Sequence, residues 1–454
     1  MLELPPLSIA EVERELSMGR VTSREFTEVA LAEIAEPHDE GPATFLHVLA
    51  ESARAEADAA DAWRRAGRAL PPLAGMILSV KDLFDIAGLP TTCGSKILWN
   101  AEPARKDATI VARLRAAGAV IIGRTNMTEF AYSGIGINPH FGTPRNRWRK
   151  SEHRVPGGSS SGAAVAVAEN MCFASVGTDT GGSIRIPAAW NCLVGFKPSR
   201  GRVPTDGSFP LSPTLDTVGP IARTVADCRL IDQVMAGLPV GPGRERRFEG
   251  LRLGVLRTLV HDLIDPIVSN RFEQVVRKLS AKGAHVVDVV VPAVERVKEI
   301  NALGSIGGAE AYHVHRNFLA DADIAAAYDP RVRMRLERGR SISAADFIEM
   351  HAIRDAMAHA ADAATHGFDA ILAPTVAILP PRLGDLASDE KFSANNILAL
   401  RNTMAFNLLD RPAVTLPLHL VGDEPVGMMV VGATGADADL LDVAEAVERV
   451  VVER

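Results

Sequence analysis

Short apolar segments alternate with helical stretches along most of the chain, and this alternation limits the folds open to it. The apolar runs are MILSV, AVIIG, FASVG, ILAPT, AVTLPL and MMVVG, and alanine-rich stretches such as residues 108–117 lie between them. A short run without polar alternation is typical of a strand that is buried on both faces. The pattern therefore predicts an α/β protein in which helices cover both faces of a β-sheet.

The chain divides into three predicted segments. Residues 1–70 carry apolar residues at helical spacing and are expected to form a helical layer, with Ser23 as the N-cap of one helix. Residues 71–237 hold the first strands, and residues 238–454 hold the later ones. The stretch 238–250 is rich in Gly, Pro and Arg, which indicates a connecting loop. One sheet built from the whole chain and two separate domains both stay open.

Composition excludes several classes of partner. The net charge is −7 over 454 residues, with Lys and Arg interleaved among Asp and Glu, so no basic face for nucleic acid is expected. The four cysteines form no C-x-x-C pair, which is typical of reduced thiols. The N-terminus lacks the features of a signal peptide, and the apolar runs are far shorter than the roughly 20 residues of a bilayer span. We expect a cytoplasmic protein without a nucleic-acid or membrane partner.

The most unusual segment, residues 155–189, contains two Gly/Ser clusters on either side of a small-residue helix and a short strand. Glycine lets the backbone approach a ligand closely, and successive N–H groups in a turn can hold an anion. A flexible linker is the ordinary explanation for such clusters, but here both adjoin packed elements. A phosphate-binding loop is disfavoured because neither a Walker motif nor a G-x-G-x-x-G motif is present.

Residues 157–188 resemble the signature of the amidase signature family position by position. The matching positions are Gly157, Gly158, Ser159, Ser160, Gly162, Gly177, Asp179, Gly181, Ser183, Arg185 and Pro187. Upstream, SVKDLFDIAG resembles the strand-end lysine motif of the family, and residues 123–134 resemble another of its segments. The late strands are also similar, so the resemblance spans nearly the whole chain. It implies the amidase signature fold, a central mixed, twisted β-sheet covered by helices on both faces. It also implies that residues 71–237 form the catalytic core and that residues 238–454 complete the same α/β domain and the substrate pocket.

The resemblance implies a catalytic triad without a metal or a cofactor. Ser183 would be the nucleophile and Lys81 the base, acting through Ser159; in the family the peptide before this bridging serine, here Gly158–Ser159, is cis. A lysine with the ordinary pKa of about 10.4 would be protonated, so Lys81 must be buried to act as a base. No G-x-S-x-G elbow surrounds Ser183, and no histidine lies in the signature, which disfavours a Ser-His-Asp triad. Asp82 need not pair with Lys81, because neighbours in a strand face opposite sides.

Further site residues follow from the same resemblance. The backbone N–H groups implied for the oxyanion hole are those of Thr180, Gly181, Gly182 and Ser183. The supporting residues are Gly158, Ser160, Asp179 and Arg185. The residues implied for substrate binding are Met127, Thr128, Phe130, Tyr132, Ile378, Met404 and Asn407. The string His313-Val314-His315 has no ligand partner at suitable spacing, so we expect a helical surface pair and no metal site.

The expected function is hydrolysis of a carbon–nitrogen bond by an amidohydrolase acting on linear amides. Because the implied pocket is mostly apolar, the expected substrate is a small uncharged aryl or alkyl amide; esters and carbamates (urethanes) present a similar carbonyl. One alternative is the glutaminase A subunit of a tRNA-dependent amidotransferase, which usually carries glutamine where this chain has Ile186. A non-catalytic binding protein is the other, and the presence of all three triad residues disfavours it. A homodimer stays open.

Overall fold

The computed structural model describes residues 6–36, 40–419 and 422–452. The strands in these ranges are β1 (Phe45–Val48), β2 (Ile77–Lys81), β3 (Val120–Thr125), β4 (Ala174–Asp179), β5 (Val194–Lys197), β6 (Thr217–Ala222), β7 (Arg252–Leu256), β8 (His285–Val289), β9 (Ala370–Pro374), β10 (Ala413–Pro417) and β11 (Gly427–Val431). The six apolar runs of the sequence correspond to β2, β3, β4, β9, β10 and β11.

The helices surround these strands in the chain order expected of an α/β protein. They are α1 (Ile9–Ser17), α2 (Ser23–Ala35), α3 (Gly41–Thr44), α4 (Ala50–Arg65), α5 (Thr109–Ala116), α6 (Ser161–Ala168), α7 (Arg185–Trp190), α8 (Val225–Ala236), α9 (Pro266–Ala281), α10 (Val297–Leu303), α11 (Ile306–Ala320), α12 (Ala322–Ala326), α13 (Pro330–Gly339), α14 (Ala344–Thr365), α15 (Asp389–Leu408) and α16 (Asp437–Val452). Short 3₁₀ turns cover Glu129–Ala131, Lys150–Glu152, Pro292–Arg296 and Leu383–Leu386. Among the helices in the described ranges, none combines the length and apolar character of a bilayer span.

All the described strands join one mixed sheet, in the order β1-β3-β2-β4-β6-β5-β10-β11-β9-β7-β8. Strand β2 is parallel to β3 and β4, and β7 is parallel to β8 and β9. The remaining neighbours are antiparallel, including β5 with β10, where early and late parts of the chain meet. The chain therefore builds a single sheet that continues across the loop at 238–250.

Burial of the central strands confirms that helices cover both faces. Every residue of β2, β3 and β4 is buried, although successive side chains of a strand point to opposite faces. Helix α6 packs on β4, β2 and β3, while α4 packs on β3 and α16 on β10. Small side chains make close packing possible in α6, whose eight residues SGAAVAVA are all buried.

The N-terminal segment differs in two details from the expected helical layer. It contributes strand β1, which pairs with β3 at the edge of the sheet. The N-cap of α2 is Thr22, one residue before the predicted Ser23, because the Thr22 side chain accepts a hydrogen bond from the backbone N–H of Glu25 and the Glu25 carboxylate accepts one from the backbone N–H of Thr22. This reciprocal capping box satisfies the first free amides of the helix.

Candidate active site

Parallel pairing of β2 and β4 brings the lysine motif and the serine motif to one edge of the sheet. Val80 is in register with Val176, and Lys81 is the last residue of β2. Because both strands run the same way, their carboxyl ends meet, and the turn that follows β4 lies next to Lys81. The Lys81 Nζ is 2.8 Å from the Thr178 Oγ1, close to the end of β4.

Lys81 is enclosed completely, with none of its surface exposed. Burial lowers the pKa of its amine to about 7, although the negative charges of Asp216 and Asp179 oppose this shift. The Nζ atom lies 2.7 Å from the Ser159 Oγ. A neutral amine is thus accessible near neutral pH, and a neutral amine is what a general base requires. Asp82 pairs with Arg124 at 3.3 Å and not with Lys81.

Ser159 lies in the loop that leads into α6, where several backbone contacts hold it. The Gly158–Ser159 peptide is cis. The N–H of Thr128 donates to the Ser159 carbonyl oxygen (3.1 Å), and the N–H of Ser160 donates to the Ser183 carbonyl oxygen (3.3 Å). The loops of the two serines are therefore in direct contact. In the described part of the chain, no hydrogen bond joins the Ser159 and Ser183 hydroxyls directly.

The turn that carries Ser183 is organised by the carboxylate of Asp179. Its Oδ1 accepts the N–H of Gly182 (2.7 Å), and its Oδ2 accepts the N–H of Ile184 (3.2 Å). The Arg185 guanidinium adds two hydrogen bonds of 3.0 Å to the same carboxylate. Both charged side chains are fully buried, so the pair is part of the interior and not a surface ion pair.

Asn407 completes the support around Asp179. Its Nδ2 donates to the Asp179 carboxylate (2.8 Å), and its Oδ1 accepts from Arg185 (2.5 Å). Burial raises the pKa of Asp179, but the charge and hydrogen bonds of Arg185 outweigh it and hold the pKa well below its usual range. The carboxylate therefore stays ionised, which keeps the turn in one conformation.

The backbone amides of the turn differ in availability. The N–H of Gly182, one of the four predicted oxyanion donors, is occupied by Asp179. Among the described residues, the N–H groups of Thr180, Gly181 and Ser183 have no acceptor. Free amides that converge beside a nucleophile can stabilise a developing oxyanion. Three donors, and not four, are therefore free for that role.

A cavity of about 190 Å³ opens at this turn. Its lining includes Thr180, Gly181 and Ser183, together with two residues of the predicted pocket, Tyr132 and Met404. Apolar side chains that the sequence prediction missed form much of the wall, namely Leu211, Leu215 and Leu400. The cavity therefore offers a mostly apolar space in contact with the predicted nucleophile.

Five other residues predicted for the pocket are absent from this lining. They are Met127, Thr128, Phe130, Ile378 and Asn407. Thr128 and Asn407 hold the Ser159 and Asp179 segments by the hydrogen bonds described above. Phe130 is buried in an aromatic cluster. Met127 and Ile378 pack in apolar clusters of the interior.

Sequence reasoning also missed polar residues at the site. Thr178 contacts Lys81, and Asp216 accepts hydrogen bonds from the Thr180 hydroxyl (2.5 Å) and from the N–H groups of residues 211 and 212 (3.0 Å each). Burial raises the pKa of Asp216 to about 6, against these hydrogen bonds. Arg335 of α13 lines the cavity as well. Alternation along β4 gives no signal for Thr178, because every residue of that strand is buried.

The prediction of a surface histidine pair is wrong for one of its members. His315 is fully buried in α11, and its Nδ1 is 2.8 Å from the Tyr328 hydroxyl. Burial lowers the pKa of this imidazole to about 4, so it is neutral at physiological pH. Across the described ranges, no group of three His, Cys, Asp or Glu side chains has metal-binding geometry.

Known proteins share this architecture. The family model described as Amidase matches residues 25–441. The chain belongs to the amidase family. The 2-amino-5-chloromuconic acid deaminase of Comamonas testosteroni is 35% identical, over 98% of this chain and 96% of that protein. The A subunit of the glutamyl-tRNA(Gln) amidotransferase of Symbiobacterium thermophilum is 34% identical over 98% and 96%.

Solved structures agree with this family assignment. The crystal structure of an amidase superposes with a TM-score of 0.88 and 34% sequence identity, over 98% of this chain and 99% of the other. As an amidase, the protein is a hydrolase that acts on carbon–nitrogen bonds. The relatives differ in the compounds and partners in their names, so family membership leaves the substrate open.

Proposed function

We propose that the protein hydrolyses the carbon–nitrogen bond of a small-molecule amide through an acyl-enzyme on Ser183. Ser183 Oγ attacks the carbonyl carbon while its proton passes to Ser159 Oγ, which gives its own proton to neutral Lys81 Nζ. The N–H groups of the turn stabilise the oxyanion of the tetrahedral intermediate. As that intermediate collapses, the protonated Lys81 and Ser159 return a proton to the departing nitrogen, and the C–N bond breaks.

Deacylation uses the same groups in reverse order. A water molecule attacks the Ser183 ester, loses a proton to the Ser159 and Lys81 relay, and the C–O bond to Ser183 breaks as its oxygen regains a proton. The product is a carboxylic acid. Esters and carbamates present a comparable carbonyl, so we propose that esterase and urethanase activity accompanies hydrolysis of linear amides.

One observation carries this proposal more than any other. Lys81 has no exposed surface, its Nζ lies 2.7 Å from the Ser159 Oγ, and burial lowers its pKa to about 7. A buried lysine without a salt bridge costs stability, and a structural role would be filled better by an apolar side chain. A role as a general base that is neutral near pH 7 explains why a lysine is buried here despite its cost in stability.

The test is detection of the acyl-enzyme. The protein is incubated with chromogenic anilide, ester and carbamate substrates, quenched in acid and analysed by peptide mass spectrometry. We expect the acyl mass on the peptide that contains Ser183, and no acyl mass in Ser183→Ala. Turnover with the acyl group on another residue, or turnover retained by Ser183→Ala, would exclude this mechanism. A binding protein on the same fold would show neither acylation nor turnover.

The alternative within the family is a glutaminase subunit of an amidotransferase, favoured by the 34% identity to a protein of that kind over nearly its whole length. Ile186, buried beneath the turn, stands where those subunits usually carry glutamine. Ammonia release from glutamine distinguishes the two. The free-standing amidase predicts turnover of anilides by the isolated chain, whereas the amidotransferase role predicts glutamine hydrolysis that depends on added partner proteins.

A further inference from the structure

Arg335 is the one charged side chain in the described lining of the Ser183 cavity. It lies on α13, whose buried residues Val332, Leu336 and Gly339 mark the face directed into the protein. Position 335 falls on that face, since residues three and four apart in a helix are neighbours. The helix therefore directs one of its arginines inward, towards the space that a substrate would occupy.

Among the residues that the structure describes, no carboxylate pairs with this guanidinium. Its Nε is buried without a hydrogen-bond partner, and within the described ranges Arg335 takes part in no ion pair. Burial lowers its pKa, with Tyr132 and Asp329 acting in the opposite direction. Arginine nevertheless stays protonated in proteins at physiological pH. The Arg335 side chain is only partly buried, and a guanidinium that lines a mostly apolar cavity can bind an anionic group of a ligand there.

Two other arginines on the same helix differ from Arg335. Arg331 pairs with Asp389 at 2.8 Å, and Arg333 pairs with Glu337 at 2.8 Å on the exposed surface. Arg335 has aromatic neighbours but no paired carboxylate among the described residues: its Cζ lies 5.4 Å from the ring centroids of both Tyr132 and Phe392, and Arg331 shares the Phe392 ring at 4.4 Å. Aromatic rings orient a guanidinium without neutralising it. The charge thus stays available to an anion in the cavity.

Neighbouring polar groups fit the same kind of ligand. Asn396 lines the cavity, and its Oδ1 accepts from the Ser133 hydroxyl and from the N–H of Gly134, both at 2.9 Å. With its oxygen occupied, Asn396 has only its NH₂ group to offer, and this group donates to no described residue. Ser305 adds a hydroxyl to the lining, which contains no Asp or Glu among the described residues.

We propose that the substrate carries a carboxylate, which the Arg335 guanidinium binds while Ser183 attacks the amide carbonyl. The proposal rests on the proposed function of the Ser183 site and names its substrate class. It replaces the uncharged amide expected from the sequence, since the apolar wall accounts for the body of the substrate but not for the cation. Guanidinium and carboxylate match as a two-pronged hydrogen-bonded pair.

The experiment compares matched ligands in the Ser183→Ala protein, so that binding is measured without turnover. One series consists of the 4-nitroanilide half-amides of succinic, glutaric and adipic acids, each against the acyl anilide in which a methyl group replaces the carboxylate. The other series places the carboxylate on the amine side, as N-acyl-4-aminobenzoates against the matching acyl anilines. Dissociation constants come from isothermal titration calorimetry.

We expect at least one carboxylate to bind about ten-fold or more tightly than its neutral partner. Adding Arg335→Met should weaken binding of that carboxylate ligand by about 30-fold or more, because the carboxylate loses its partner cation in the cavity. The same change should alter binding of the neutral ligand by less than about three-fold. Arg333→Met, on the same helix but exposed, should change neither. Arg335→Lys, which keeps the charge without the planar fork, should retain part of the preference.

Three results would overturn the proposal. Charged and neutral ligands could bind equally, all carboxylate ligands could fail to bind, or the tighter binding of the carboxylate ligand could persist in Arg335→Met. If Arg335→Met lowers the melting temperature sharply, the folded Arg335→Lys variant is used instead. A preference for the carboxylate ligand that is unchanged or lost in Arg335→Lys would likewise exclude a two-pronged pair between guanidinium and carboxylate. Turnover of the same ligands by intact enzyme separates the two claims. Ser183-dependent hydrolysis of neutral anilides without anion preference refutes only the carboxylate site, whereas anion binding without turnover refutes only the proposed function.

Discussion

Lys81 Nζ and Ser159 Oγ lie 2.7 Å apart in a part of the protein that solvent does not reach. The two residues are far apart in sequence, and the parallel pairing of β2 with β4 brings their segments together. Burial lowers the lysine pKa to about 7. The contact therefore joins a hydroxyl to an amine that can take up a proton near neutral pH, and the proposed chemistry depends on this pair.

Replacement of Ser183 by alanine is expected to abolish turnover without unfolding the protein. The substitution removes the nucleophile but leaves the Asp179 and Arg185 contacts that hold the turn. Activity on anilides and the melting temperature are measured in parallel, with Ser341→Ala on the surface as a control. An unchanged melting temperature with no detectable turnover fits the account; turnover near that of the control does not.

The relay predicts strong non-additivity between Lys81 and Ser159. Lys81→Ala and Ser159→Ala should each lower kcat by several orders of magnitude, because either change interrupts proton transfer from Ser183. The double variant should be little slower than the slower single variant. A double-mutant cycle on kcat makes the comparison. If the two effects multiply, the residues act independently and the relay is wrong.

The buried pair of Asp179 and Arg185 is expected to be a strong determinant of stability. Arg185→Met leaves the Asp179 carboxylate buried without its cation, which costs about 3–5 kcal/mol of unfolding free energy. The matched control is Arg333→Met, which breaks an exposed pair and should cost less than about 1 kcal/mol. Urea denaturation measures both. If Arg185→Met and Arg333→Met lost equally small amounts of unfolding free energy, the Asp179–Arg185 pair would not hold the turn.

The pH dependence of that stability has a defined sign. Although burial acts against it, Arg185 lowers the pKa of Asp179 below the unfolded value of about 3.9. The contribution of the pair to the unfolding free energy is therefore complete above about pH 4, and it declines as the pH falls further. The difference in unfolding free energy between wild type and Arg185→Met should narrow in acid. A difference that stays constant down to acid unfolding would contradict this.

The turn before Ser183 should not tolerate a side chain at Gly182. Its φ of +133° is unfavourable for other residues, and a Cβ there would lie 2.1 Å from the Thr403 Oγ1. Gly182→Ala should displace the neighbouring amides and lower kcat by about 10²–10³, the effect of losing one oxyanion donor. Gly384→Ala, where a Cβ meets nothing within 4 Å, is the control. If Gly182→Ala and Gly384→Ala had similar kcat values, catalysis would not depend on the backbone conformation of the turn.

Much of the fold was predictable because its signals are local. Buried strands such as β2 and β4 are continuous apolar runs, and their alternation with helices predicts the α/β class. The strand order and the pairing of β5 with β10 have no local signal, since they depend on which distant segments pack together. The edge strand β1 was missed because four residues within a helical segment carry too little pattern.

The candidate site likewise contains residues that the sequence indicates locally and residues that it does not. Lys81, Ser159 and Ser183 lie in motifs that the sequence displays, whereas the cavity wall comes from distant segments that carry no shared motif. Arg335 illustrates the limit. The segment 331–340 contains five arginines, and only the position of residue 335 on the face of Val332 and Leu336 distinguishes it. Helical periodicity carried that signal, but only the structure shows that no described carboxylate pairs with Arg335.

The pH profile of kcat/KM on a neutral anilide reports the ionisation of Lys81, because the substrate does not titrate and Lys81 must be neutral to accept the proton. Because the Lys81 pKa is about 7, we expect kcat/KM to rise with pH, to be half-maximal near pH 7 and to be level above it. Asp216→Asn should move the midpoint to lower pH, since the Asp216 charge raises the Lys81 pKa. A level profile from about pH 5 to 9, or the same rising limb in a Lys81→Ala variant with residual activity, would contradict the assignment of Lys81 as the base.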